Sequence, residues 1–183
     1  MRFTFFKIII LITFLVSCFS SCSSDLDFEQ ANNFNIQPVV TTNLAYIKAN
    51  ASDFISNGAE SPLLSFTSNV DFLNTSFVEE DLVKTELYFR IKNTINRSFV
   101  FNIVFIDSDG LPVYNLRMDV PAGNGTEVIV EKTEIFTAAN IDILKNTSQM
   151  SFSILMLNGT PISATTPGRV EMSSGITAYF DIK

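Results

Sequence analysis

The sequence has no histidine and no tryptophan, and its only cysteines are Cys18 and Cys22. Without histidine there is no Ser-His-Asp or Cys-His nucleophile system, no imidazole acid-base pair and none of the commonest metal ligand. Two cysteines close to the N-terminus cannot build a disulfide framework, a thiolate zinc site or an iron-sulfur cluster in a folded body downstream. Charge is also sparse: 17% of residues are charged against 46% hydrophobic, so apolar surface is ample and wholesale disorder is excluded. No cofactor and no metal is expected from this inventory.

What charge there is has one dominant sign. Twelve basic and 19 acidic residues give a net charge of −7. Two of the basic ones, Arg2 and Lys7, precede an apolar run, Ile8-Ile9-Ile10-Leu11-Ile12-Thr13-Phe14-Leu15-Val16. A positively charged start followed by a short apolar core is the pattern of a secretion signal, and the run falls short of the roughly 20 residues a spanning helix needs. Removing residues 1–21 leaves ten basic against 19 acidic residues, a net charge of −9. Such a surface repels phosphate backbones and anionic lipid, so nucleic acid is not an expected partner.

After the run come Leu15-Val16-Ser17-Cys18 and then Phe19-Ser20-Ser21-Cys22. Both resemble the lipobox of bacterial lipoproteins, in which small residues precede a cysteine that is acylated and becomes the new N-terminus. Cys18 has the better apolar residue three positions before the cut. Cys22 is followed by Ser23-Ser24-Asp25-Leu26-Asp27-Phe28-Glu29, which resembles the serine and acidic start of mature flavobacterial-type lipoproteins. Cys22 is therefore the expected lipidation site and Cys18 the alternative. The resemblance implies attachment through an N-terminal lipid to the outer membrane or cell surface. Residues 22–35 then read as a tether, rich in Ser, Asp, Asn and Gln, and 36–183 as one folded domain.

Within that domain, short apolar or alternating runs separated by turn residues predict seven or eight antiparallel strands. Val83 to Lys92 alternates cleanly, with Val83, Leu87, Phe89 and Ile91 on one face. Ser98 to Ile106 is apolar on both faces and reads as a central strand, with Asn93 to Arg97 joining the two as a hairpin. Further strands are expected at 36–49, 63–72, 111–120, 126–131, 149–157 and 175–183, and one short helix near 137–145 crossing between sheets. This is an all-β sandwich, immunoglobulin-like or Greek-key. Its strand order resembles immunoglobulin-like and late-embryogenesis-type domains. Five of the 18 phenylalanines lie in the leader. Of the rest, Phe89, Phe99, Phe101, Phe105, Phe152 and Phe180 are the expected core.

Few residues stand out as sites. Asp107-Ser108-Asp109-Gly110 begins like a calcium loop, with oxygens at alternate positions, but lacks the distant Glu, so a hairpin turn accounts for it. Glu79-Glu80-Asp81 and the Asp25, Asp27, Glu29 group are acidic clusters read as solvated charge. Tyr46, Tyr88, Tyr114 and Tyr179 suit a sugar-stacking or protein-binding surface, and Tyr88 falls on the polar face of its strand, where the core does not need it. The expected function is a non-catalytic binding or structural module, with an envelope protein or a glycan as partner. The alternative is a carboxylate-dependent polysaccharide-active enzyme or a carbohydrate-binding accessory protein.

Overall fold

The computed structural model describes residues 35–182; the leader, Cys18, Cys22 and most of the tether lie outside the described residues. The folded unit runs Ile36–Ile182. Its strands are β1 (Val39–Asn50), β2 (Ile55–Ser56), β3 (Ala59–Glu60), β4 (Leu63–Asn69), β5 (Leu82–Asn93), β6 (Phe99–Ile106), β7 (Pro112–Val120), β8 (Val128–Phe136), β9 (Gln149–Met156) and β10 (Arg169–Phe180). Two short helices, α1 (Ser76–Asp81) and α2 (Asp142–Lys145), join them. The eight long strands form two four-stranded antiparallel sheets, β1-β10-β5-β8 and β4-β9-β6-β7, and β2 and β3 form a small separate hairpin.

The pairing follows one rule. β6 pairs with β7, β5 with β8, β4 with β9 and β1 with β10, each antiparallel, like the turns of one long hairpin rolled into two layers. That connectivity is the jelly-roll form of the Greek key. In an immunoglobulin sandwich the first and last strands belong to opposite sheets; here they are neighbours. An all-β sandwich is thus the fold, and the Greek-key alternative is the one it adopts.

The core lies between the layers. Phe89, Phe99, Phe101, Phe105, Phe152 and Phe180 are all buried, as the alternation predicts, and Phe54 and Phe136 join them. A fully buried Phe contributes about 2 kcal/mol from the area it removes from water. β6 is central, between β9 and β7, and Val100 on its outer side is buried as well as the core-facing phenylalanines.

Three expectations need correction. Asn93 to Arg97 is not a hairpin turn, because β5 and β6 belong to different sheets. Ile95 is fully buried at the corner. The Asn93 side chain holds the bend, its Nδ2 donating to the carbonyls of Arg97 and Pro121 at 2.8 Å each and its Oδ1 accepting from the Ile95 amide at 2.9 Å. The next loop closes against this corner so tightly that a Cβ on Gly123 would sit 2.8 Å from the Thr94 carbonyl carbon.

Val83 is not a core residue. A register shift places Leu82 opposite Phe180 and Lys84 opposite Tyr179, so Val83 is the extra residue of a bulge and is 45% exposed. β8 and β10 also differ in extent from the expected 126–131 and 175–183. The Glu-Lys-Thr-Glu run at 131–134 hides the second half of β8. On the register of β5, Lys132 and Glu134 lie opposite Phe89 and Leu87, and such inward-directed charges suit an edge strand.

The expected crossing helix is present as α2, inside 137–145, between β8 and β9. α1 is too short to show a period; Thr75 caps it by accepting from the Val78 amide.

Candidate binding face

One broad face of the sandwich carries three of the four tyrosines. On the outer side of β1-β10-β5-β8, residues line up across the strands in rungs: Asn43, Gly175, Tyr88 and Thr133 in one, Tyr46, Ser173, Arg90 and Glu131 in the next. Lys48, Glu171, Lys92 and Ile129 follow. Strands about 4.8 Å apart and rungs about 7 Å apart put Tyr88 and Tyr46 roughly 12 Å from each other.

Tyr88 is 40% exposed. Its hydroxyl donates to Glu131 Oε1 at 2.6 Å, and Arg90 Nε lies 3.3 Å from the same oxygen, so the ring is fixed through its hydroxyl by a charged clamp. The hydrogen bond to that carboxylate, followed by desolvation and the carboxylate charge, raises the phenol above its ordinary value. Beside the ring, on β10, stands Gly175. A Cβ there would meet only the Thr42 carbonyl oxygen at 3.4 Å, an ordinary contact, and its backbone is not in the left-handed region. Neither conformation nor crowding requires glycine at this position. Its effect is to leave bare backbone next to an aromatic ring, where a ligand can approach closely.

Tyr46 is more exposed still, at 65%, and donates to Glu171 Oε1 at 3.2 Å, which also accepts from Arg169 Nε at 2.6 Å. At Glu171 desolvation pulls the carboxyl upward. The hydrogen bond and charge of Arg169, the Tyr46 hydroxyl and the Lys48 charge together outweigh it, and the net shift is down. Tyr179 lies two rungs from Tyr88 on the same face, with Lys84 Nζ 4.7 Å from its ring centre.

Tyr114 does not belong to this surface. It packs edge-on against Phe105 and Phe136 and donates to Glu134 Oε1 at 2.6 Å. Desolvation first, then that hydrogen bond and the nearby charge, push its phenol up to about 12.

Asp107 and Asp109 sit in the β6–β7 turn. Asp107 Oδ1 accepts from the amides of Asp109 and Leu111 at 3.0 and 2.8 Å, so the carboxylate organises the turn itself. Among the described residues no group of three or more acidic side chains could hold a metal ion. Glu79, Glu80 and Asp81 lie on α1, which leads directly into β5, and the Asp81 carbonyl accepts from the Asp181 amide.

Carboxyls with resolved shifts are all held low. At Glu60 the Ile162 amide and then the Arg97 guanidinium lower it; at Glu86 it is Lys84, and at Asp119 Arg117. Sequence reasoning picked out Tyr88 from strand parity. It could not pick out Gly175, because the pairing of β5 with β10 joins residues 87 positions apart in the chain.

No family model matches this sequence, and no curated protein matches it. Among solved structures, a subviral particle of infectious bursal disease virus aligns over 80% of this chain and 38% of its own, at 10% identity and a TM-score of 0.42. A protein from Parabacteroides distasonis aligns over 63% and 38%, at 11% identity and a TM-score of 0.41. Desmodium yellow mottle tymovirus aligns over 82% and 91%, at 8% identity and a TM-score of 0.35. The chain spans little more than a third of the first two, and each is similar to it only distantly.

Proposed function

We propose that this chain is a lipid-anchored cell-envelope lipoprotein whose jelly roll is a non-catalytic binding module, and that the Tyr88 face takes a glycan. The observation that carries the reading is the bare Gly175 strip beside the clamped Tyr88 ring. A sugar ring presents an apolar face that stacks on an aromatic, and hydroxyls that need hydrogen-bonding partners around it. Asn43, Ser173, Thr133, Arg90 and Glu131 supply those partners on the same and the adjoining rung. A glycosidase needs one carboxyl raised into the range of a general acid, opposite a second about 5 to 9.5 Å away. Here the resolved shifts at Glu60, Glu86, Asp119 and Glu171 keep those groups ionised.

The test is calorimetric titration of the chain with neutral and acidic polysaccharides. Tyr88→Ala is expected to weaken binding about tenfold, the value of one lost aromatic stack, and Gly175→Leu to weaken it as much by covering the strip, with unchanged far-ultraviolet spectra. Binding that survives both substitutions would place the site elsewhere. Metabolic lipid labelling tests the anchor: label is expected in the wild type and in Cys18→Ala and absent from Cys22→Ala.

A further inference from the structure

The two sheets have four edge strands, and three of them carry devices that discourage pairing with another strand. β1 has a register break between Asn43 and Ala45 and carries Lys48. β7 begins at Pro112, shifts register there, and carries Arg117 and Asp119. β8 carries Glu131, Lys132 and Glu134. Charges, prolines and bulges are the usual means of blunting a sheet edge.

β4 has none of them. Leu63-Leu64-Ser65-Phe66-Thr67-Ser68-Asn69 contains no charged residue and no proline, and pairs with β9 without a break from Leu63 to Asn69. Six of its seven residues are exposed, and among the described residues no loop covers it. Phe66 lies opposite the buried Phe152, on the core side of the sheet, yet its own side is 41% exposed. An uncharged, regular, uncovered edge is a template for one more strand.

We propose that this edge pairs with the same edge of a second copy, making a two-fold dimer with a continuous eight-stranded sheet. The strand is self-complementary when turned antiparallel about Phe66. Phe66 then faces Phe66 of the second copy, Ser65 faces Thr67, and Leu64 faces Ser68. Aromatic pairs and Ser-Thr pairs are the cross-strand neighbours that stabilise a sheet, and a two-fold contact demands such self-matching. Charge points the same way. In a chain of net charge −7, copies repel each other over most of their surface, and β4 is an edge where they meet without like charges facing. The surface belongs to the sheet opposite Tyr88, so this contact and glycan binding stand or fall separately.

The experiment is sedimentation velocity on the full chain, with Thr67→Lys as the disrupting variant and Thr133→Lys on the other sheet as its control. A dimer that Thr67→Lys weakens on the order of tenfold, and that the control leaves alone, is expected, since each copy then sets a lysine into the shared ladder. Phe66→Cys is expected to give an oxidised species of twice the mass beyond any formed by wild type. A wild type that is monomeric throughout overturns the proposal and leaves β4 to a strand from a different protein. A dimer indifferent to Thr67→Lys overturns it as well. Thermal melts of both lysine variants, expected to match wild type, separate lost association from lost folding.

Discussion

Tyr114 shows how far one hydroxyl can be moved by its surroundings. Its ring is wedged between Phe105 and Phe136 and its proton is shared toward Glu134. The folded value of about 12 lies above the ordinary tyrosine value of about 10. A raised folded value means that the contribution to stability is complete below pH 10 and is lost as pH rises from there through 12. An alkaline titration followed by tyrosinate absorbance is expected to show a last step near pH 12, and Tyr114→Phe to remove it. Residue type alone grouped Tyr114 with the surface tyrosines. What the sequence does not display is the seam between β7 and β8, where two edges from different sheets close over this side chain.

At the scale of elements, a single cation ties together segments that share no strand pairing. Arg97 is 3% exposed. From the corner after β5 it donates to the Leu157 and Thr160 carbonyls and to Glu60 on β3. Removing one partner of a buried, hydrogen-bonded charge leaves the others without compensation, so Arg97→Ala is expected to cost about 3 kcal/mol in urea unfolding. Hydrogen exchange in residues 157–162 should accelerate with it. Alternation made most of the elements legible, since Leu87, Phe89 and Ile91 can face only one way, and the run 98–106, apolar on both faces, reads as a central strand. Illegible were the places where a local rule yields to a distant one: the bulge that turns Val83 outward, the polar half of β8, and a corner that reads as a hairpin because Asn and Arg are ordinary turn residues. In each case the deciding contact comes from a strand far along the chain.

The whole molecule is tuned by what its composition leaves out. With no histidine, no side chain has its ordinary titration between about pH 5 and 8, so stability should be flat across that range. Below it, Glu60, Glu86, Asp119 and Glu171 have folded values under their unfolded ones; the unfolded chain binds protons first, and stability falls as pH drops through the folded values. Thermal melts from pH 7 to 3 are expected to decline only below about pH 4.5. The nested strand pairs also set an order in time. The turn at Asp107 to Leu111 joins adjacent strands and can form as soon as it emerges, whereas β1 must wait for β10, the tenth of the described strands. Loop closure of that span is slow. A ribosome still synthesising this chain therefore carries β1 as an open strand whose partner does not yet exist, so the sandwich cannot close before residues 169–180 have been made.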